Sequence, residues 1–445
     1  MNLSQALRLN SRSVAPIVSF TGSGGKTTAL FQLARQLNIF SSVLVSATSH
    51  LGIWQTSLAD HHRIANQIYD LENFPGSGVI LITGALDGER TKPVNEIILD
   101  WLYAKSKTDH LPLLIEADGS RQKPIKAPAP HEPAIPNFAE IVVHVIGMSG
   151  LGKPLEDQHV HRAGIFSELT GLALGETVTA KALVKLLLHP QGGLKDMPTN
   201  ARHIALLNQA DTPEQQSLAG SMARQLLNAY DSVIIGSLQQ NYLQVAEKTA
   251  GIILAAGSSS RYGHQPKQLL EWKGKSFIRH VTETALRSGL EPVVVVTGFR
   301  HAEIESQIQD LPVNIVYNAD YEQGQSTSIK AGISALPANV GAAIFLLADQ
   351  PQIPVEVIRA LVEAHTSNLQ AILAPLVLEE KRANPVLFDR VTFPSLLTLQ
   401  GDVGGRGIFD KHKVSYLPWH DDILIFDVDK PEDYQRLKRI ENSEW

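Results

Sequence analysis

Two cations and a carboxylate stand at points of this chain where charge can meet a phosphate. Gly251 to Ala256 is an apolar run and reads as a buried strand. It breaks at Gly257 and Ser258 into a loop of small residues that carries Arg261 and Gly263, and Lys267 follows. Small residues let backbone N–H groups approach phosphate oxygens. Arg261 and Lys267 are placed to neutralise the charge that collects there. A second apolar run, Ala342 to Ala348, ends in Asp349. A carboxylate at the carboxyl end of a buried parallel strand lies where open α/β sheets bind ligands. It suits Mg²⁺, which takes one or two carboxylates plus substrate phosphates. The other reading of Asp349, followed closely by Pro351, is a helix cap. Near the end, Asp427 and Asp429 alternate after the run Ile423 to Phe426. On an extended segment they point the same way. The expected metal set is therefore Asp349, Asp427 and Asp429; a capped helix start is the competing reading of Asp429.

The first half carries a separate pattern. A strand-like run, Ala15 to Phe20, leads into Thr21, Gly22, Ser23, Gly24, Gly25, Lys26, Thr27 and Thr28, and a helical pattern runs from Ala29 through Leu37. This is a phosphate loop in outline. Gly22, Gly24 and Gly25 form the cradle, Lys26 serves the β/γ-phosphates, and Thr27, beside Thr28, serves Mg²⁺. The full spacing rule requires a further glycine where Phe20 stands. The run Leu111 to Ile115 ends in Glu116 and Asp118, a second expected Mg²⁺ contact. Asn208, Gln209, Ala210 and Asp211 follow another apolar run; they resemble the base-reading motif of GTPases with Gln for Lys, and also read as a plain strand end. Arg121, Lys123 and Lys126 form either an anion site or a solvated basic loop. His61, His62, His159 and His161 lack further ligands at metal-binding spacing and read as surface histidines.

With those residues in view, two resemblances can be named. From about 249 to 440 the chain resembles the molybdenum cofactor cytidylyltransferases, a branch of the nucleotidyltransferases that also holds guanylyl-transferring enzymes. The matching pieces run from Leu254, Ala255, Ala256 and Gly257 through Lys267, then Gly324 to Ser328 with Ser326 between, then Leu347 to Pro351. Asn384 to Phe388, Gly401 to Arg406, and Asp427 to Asp433 complete the set. The forms at 254–257 and 348–351 resemble the cytidylyl branch, which implies CTP. Asn384 departs from the Gly or His usual before that proline. The resemblance implies that CMP is joined to molybdopterin with release of pyrophosphate. Arg261 and Lys267 then meet the triphosphate, Asp349 serves with Asp427 or Asp429 on Mg²⁺, and the Gly324–Ser328 and Gly401–Arg406 loops lie near nucleotide and acceptor. Residues 12 to 240 resemble the YqeC-type accessory proteins of selenium-dependent molybdenum hydroxylases, through Thr21–Thr28, Ala47–His50 and Glu116–Pro133. That implies a hydroxylase apoenzyme as partner. The alternatives are a nucleotidyltransferase acting on another small phosphate, and a cofactor carrier or chaperone that binds without turnover.

These sites need scaffolds. Strand and helix patterns alternate in both halves, which predicts two doubly wound, mainly parallel α/β sheets: a phosphate-loop domain over 1–245 and a Rossmann-like nucleotidyltransferase domain over 246–445. A length of 445 residues suits more than one core. Residues 239–249 read as a short linker. Cysteine is absent, which excludes disulfides and thiolate ligands and fits a cytoplasmic setting. A net charge of -6 argues against a nucleic-acid partner. No apolar run reaches the roughly 20 residues a bilayer span needs, and Met1 to Ser13 lacks the apolar core of a signal peptide.

Overall fold

A computed structural model describes residues 1–9, 15–72, 74–258, 266–428 and 430–442. The chain divides into two compact units, Met1–Ala246 and Glu247–Trp445.

The first unit is built on a parallel sheet. Its strands lie in the order Ser232–Ser237, Arg202–Asn208, Ile141–Gly147, Ile17–Gly22, Leu113–Glu116, Val43–Ala47, Val79–Thr83 and His61–Ile64. Each neighbouring pair is parallel. A parallel sheet covered on both faces wants continuous apolar strands, and Ile17–Gly22, Val43–Ala47, Val79–Thr83 and Ile141–Gly147 are buried along their whole length. The edge strand His61–Ile64 is the exposed exception. Register then does the positioning. Phe20 pairs with Glu116 and Thr21 with His144. The carboxyl ends of three central strands therefore meet where the glycine loop leaves the sheet.

The second unit is a mixed sheet, mainly parallel. Its order is Asn314–Tyr317, Val293–Thr297, Tyr242–Leu254, Val340–Leu347, Val386–Asp389, Ile372–Val377 and Val414–Trp419. Val386–Asp389 runs antiparallel to both neighbours. Side chains alternate across the sheet. Ile252 and Val294 pack with Ile329 of the helix Gln325–Ser334. Ile253 and Val295 pack with Ile278 and Val357 of the helices Phe277–Arg287 and Val355–Asn368 on the other face. Helices on both faces make the sheet doubly wound. Leu254 pairs with Val296 and Leu347, so Gly257, Gly298 and Asp349 leave the sheet at one edge.

One sequence expectation changes. The segment 239–249, read as a short linker, is strand from Tyr242 onward, the strand ending at Leu254. The run before Asp427 holds a 3₁₀ turn, Asp422–Ile425, capped by Asp421, and the chain is extended again at Phe426. Among the described residues, no helix is long and apolar enough to cross a membrane.

Candidate functional site

In the second unit, the loop after Leu254 opens a pocket of about 740 Å³. Gly257, Ser258, Lys267, Gly324, Ser328 and Asp349 line it. The Lys267 ammonium is buried and lies 3.7 Å from Asp349 Oδ2. A buried cation needs such a partner. Gln268, next to it, shapes the loop: its amide donates to the Ala255 and Gly257 carbonyls at 3.3 and 3.0 Å. Asp349 caps no helix, since the next one starts at Val355 after Pro354. Asp349 also lines an adjoining recess of about 400 Å³ with Asp427, Asn384 and Arg406. Asp427 accepts a hydrogen bond from the Gln350 amide. Two carboxylates on one recess fit the one or two that Mg²⁺ takes in phosphate chemistry.

The rear wall depends on Gly324, which sits at φ +111°. A Cβ there would lie 2.4 Å from the Gly401 carbonyl carbon, so only glycine lets these two loops touch. Ser326 is buried and donates its N–H to Gly401 O at 3.3 Å. Ser328 lines the pocket and accepts from Asn318 at 3.0 Å. Arg261, Gly263 and Asp429 lie outside the described residues.

In the first unit, the helix Lys26–Leu37 starts at Gly25, φ +123°, with no side-chain cap. Its first N–H groups and dipole therefore face a pocket of about 420 Å³, lined by Gly24, Gly25, Lys26, Thr27, Thr28 and Glu116. Thr27 Oγ1 donates to Glu116 Oε2 at 2.7 Å. Lys26 Nζ donates to Gly22 O at 2.7 Å and lies 3.3 Å from Asp118 Oδ1. Burial pushes the Glu116 carboxyl up from its ordinary value, with Lys26 pulling the other way. Asp118 faces the loop rather than the pocket: it accepts from Gly22 N at 3.0 Å. Asn208 clamps the same loop, donating to Gly24 O at 2.7 Å and accepting from Leu238 N at 3.0 Å. Gln209 reaches the pocket edge. Among the described residues, no group of three His, Asp or Glu is arranged to hold a metal.

Residues 251–415 match the MobA-like NTP transferase domain, and residues 18–164 match the YqeC protein family. The YqeC protein of Escherichia coli K12 is 31% identical over 238 residues, 51% of this chain and 88% of that protein. The nicotine blue oxidoreductase of Paenarthrobacter nicotinovorans is 30% identical over 197 residues, 42% of this chain and 95% of that protein. A probable molybdenum cofactor guanylyltransferase of Bacillus cereus Q1 is 31% identical over 143 residues, 32% of this chain and 66% of that protein. The chain belongs to both families. Its second unit is a nucleotidyltransferase of the MobA-like kind, and its first unit is a YqeC domain.

The basic loop of the YqeC domain divides. Lys126 is buried, with 2.7 Å contacts to Asp118 and Glu132, and it does not line the pocket. Arg121 is exposed and lines the pocket; Lys123 does not. Trp54, 63% exposed at the pocket mouth, and Gln55, donating to Thr27 Oγ1 at 3.0 Å, carry no motif that sequence could show. In the MobA-like unit, Phe299 and Tyr321 join the pocket for the same reason: loops distant in sequence bring them there.

Proposed function

We propose that the MobA-like unit transfers CMP from CTP to the terminal phosphate of molybdopterin, releasing pyrophosphate. The observation that carries this is the Lys267–Asp349 pair, 3.7 Å apart, in a pocket opened by the Gly257 loop. A phosphate oxygen of molybdopterin attacks the α-phosphorus of CTP. The new P–O bond forms as the bond to the bridging oxygen breaks, and pyrophosphate leaves with that electron pair. The attacking oxygen is anionic at neutral pH, so no side chain need remove a proton. Lys267 meets triphosphate charge, and the Gly257 and Gly324 loops hold the nucleotide in line. Asp349 and Asp427 are the residues that would hold Mg²⁺, which supplies charge neutralisation on the phosphates. The relative named for molybdenum cofactor guanylyl transfer supports the acceptor; the residues 254–257 and 348–351 support cytosine over guanine. The Paenarthrobacter relative is named for a redox activity, but this unit carries no G-x-G-x-x-G dinucleotide loop.

For the YqeC unit we infer a nucleoside triphosphate site on the Gly22–Thr28 loop. Lys26 and the helix N-terminus serve the phosphates, and Thr27 with Glu116 would hold Mg²⁺ there.

The deciding experiment is pyrophosphate release with CTP, GTP or ATP, Mg²⁺ present, with and without molybdopterin. Release with CTP and acceptor alone supports the reading. Release with GTP moves the unit to guanylyl transfer. CTP binding without release makes it a carrier.

A further inference from the structure

Beside the nucleotide pocket of the YqeC unit lies a smaller recess of about 170 Å³. Arg90, Arg121, Arg162, His50 and His161 line it, with Glu132 as its carboxylate. His50, Arg90 and Arg121 line both cavities. Glu132 is already satisfied: Lys126 and Arg162 each reach its Oε2 at 2.7 Å. Burial pushes the Glu132 carboxyl up, but those two hydrogen bonds outweigh it and hold the group at about 2. Among the described residues, Arg90 and Arg121 have no ion-pair partner. The recess therefore carries uncompensated positive charge. His161 reports the same field. Burial, then the charges of Arg162, Lys126 and Arg121, hold its imidazole down at about 4. It is neutral at pH 7 and offers a ring N–H. Arg121 and Arg162 also sit at φ +50° and +65°, a region non-glycine residues seldom adopt.

We propose that this recess binds a tetrahedral oxyanion, free or as the phosphate group of a monoester, beside the nucleotide site. Guanidinium forks suit tetrahedral oxyanions. At about 170 Å³ the cavity falls below the roughly 300–1,000 Å³ of pockets for drug-sized ligands, so a small anion fits it better than a nucleoside. The recess connects to the nucleotide loop through buried charges: Arg162 to Glu132, Glu132 to Lys126, Lys126 to Asp118, and Asp118 to Lys26. The anion's place as a second substrate rests on the nucleotide reading of the Gly22–Thr28 loop; its binding does not.

The test is calorimetric titration of inorganic phosphate, and separately of phenyl phosphate, into the full chain with and without saturating Mg²⁺–ATP or Mg²⁺–GTP. The variants are Arg121→Asn and Arg162→Asn, because asparagine tolerates the left-handed backbone. Phosphate binding to the nucleotide-saturated chain, weakened at least tenfold by either variant, supports the site. Tighter binding of phenyl phosphate assigns it to a monoester; equal binding assigns it to free oxyanion. Phosphate displaced by nucleotide, or unaffected by both variants, overturns the proposal. If neither nucleotide saturates the chain, the nucleotide reading fails alone. Arg162, which lines only the recess, then decides: a tenfold loss in Arg162→Asn keeps the site, and no loss removes it.

Discussion

Lys126 Nζ lies 2.7 Å from Asp118 Oδ2, both side chains almost wholly buried. Lys26 approaches the other oxygen of the same carboxylate at 3.3 Å. One aspartate thus joins the glycine loop to the strand pair Ile125–Lys126 and Val160–His161. Breaking a buried pair leaves an uncompensated charge and costs about 3–5 kcal/mol. Lys126→Met is expected to destabilise the YqeC unit by that amount. Native-state hydrogen exchange of amides in Ile141–Gly147 reads it, and a change below about 1 kcal/mol would show that Asp118 finds another partner.

Asp349→Asn keeps the shape of the carboxylate and removes its charge. Pyrophosphate release is expected to fall about 10²–10³-fold, the size seen when one electrostatic contact is removed from an active site. Nucleotide binding to the Gly22–Thr28 loop should not change. Steady-state release and equilibrium titration on one preparation separate the two, and equal loss in both would mean the sites are coupled.

Gly324→Ala tests the rear wall of the same pocket. The added carbon meets backbone at 2.4 Å, which cannot swing away as a side chain could. Its φ of +111° adds strain of about 1–3 kcal/mol. A lower melting temperature is expected together with weaker CTP binding. An alanine variant with wild-type affinity would mean that the Gly401 loop moves freely.

His144 sets a pH dependence. Burial, above all, holds its imidazole down at about 4, and Thr21 Oγ1 lies 3.1 Å from Nδ1. The unfolded chain takes up that proton near pH 6.5. The stabilisation is therefore complete above about pH 6.5 and lost as pH falls towards 4. Histidine NMR should show a ring still neutral at pH 5. A ring that titrates near 6.5 would mean water reaches Thr21.

Both α/β units were legible in sequence because buried parallel strands leave long apolar runs, and Gly257, Gly22 and Asp349 stand where those runs end. The loop at Gly324 and the run ending at Asp349 were legible too, but that they lie at one site came only from the family resemblance, not from their spacing. Chain pairing settled that: Leu254 beside Leu347 sets one edge, and a glycine at φ +111° lets the Gly401 loop close against it.

What the sequence determined by itself was thus local: strand, glycine loop, helix start, and the charge that follows each. Tertiary structure decided which charges face a ligand. Arg121 and Lys126 are five positions apart in one basic stretch, yet one stays exposed at a pocket while the other is consumed by Asp118 and Glu132. Nothing in spacing distinguishes them. Burial does, because a cation withdrawn from water must be paired, and its partners come from elsewhere in the fold.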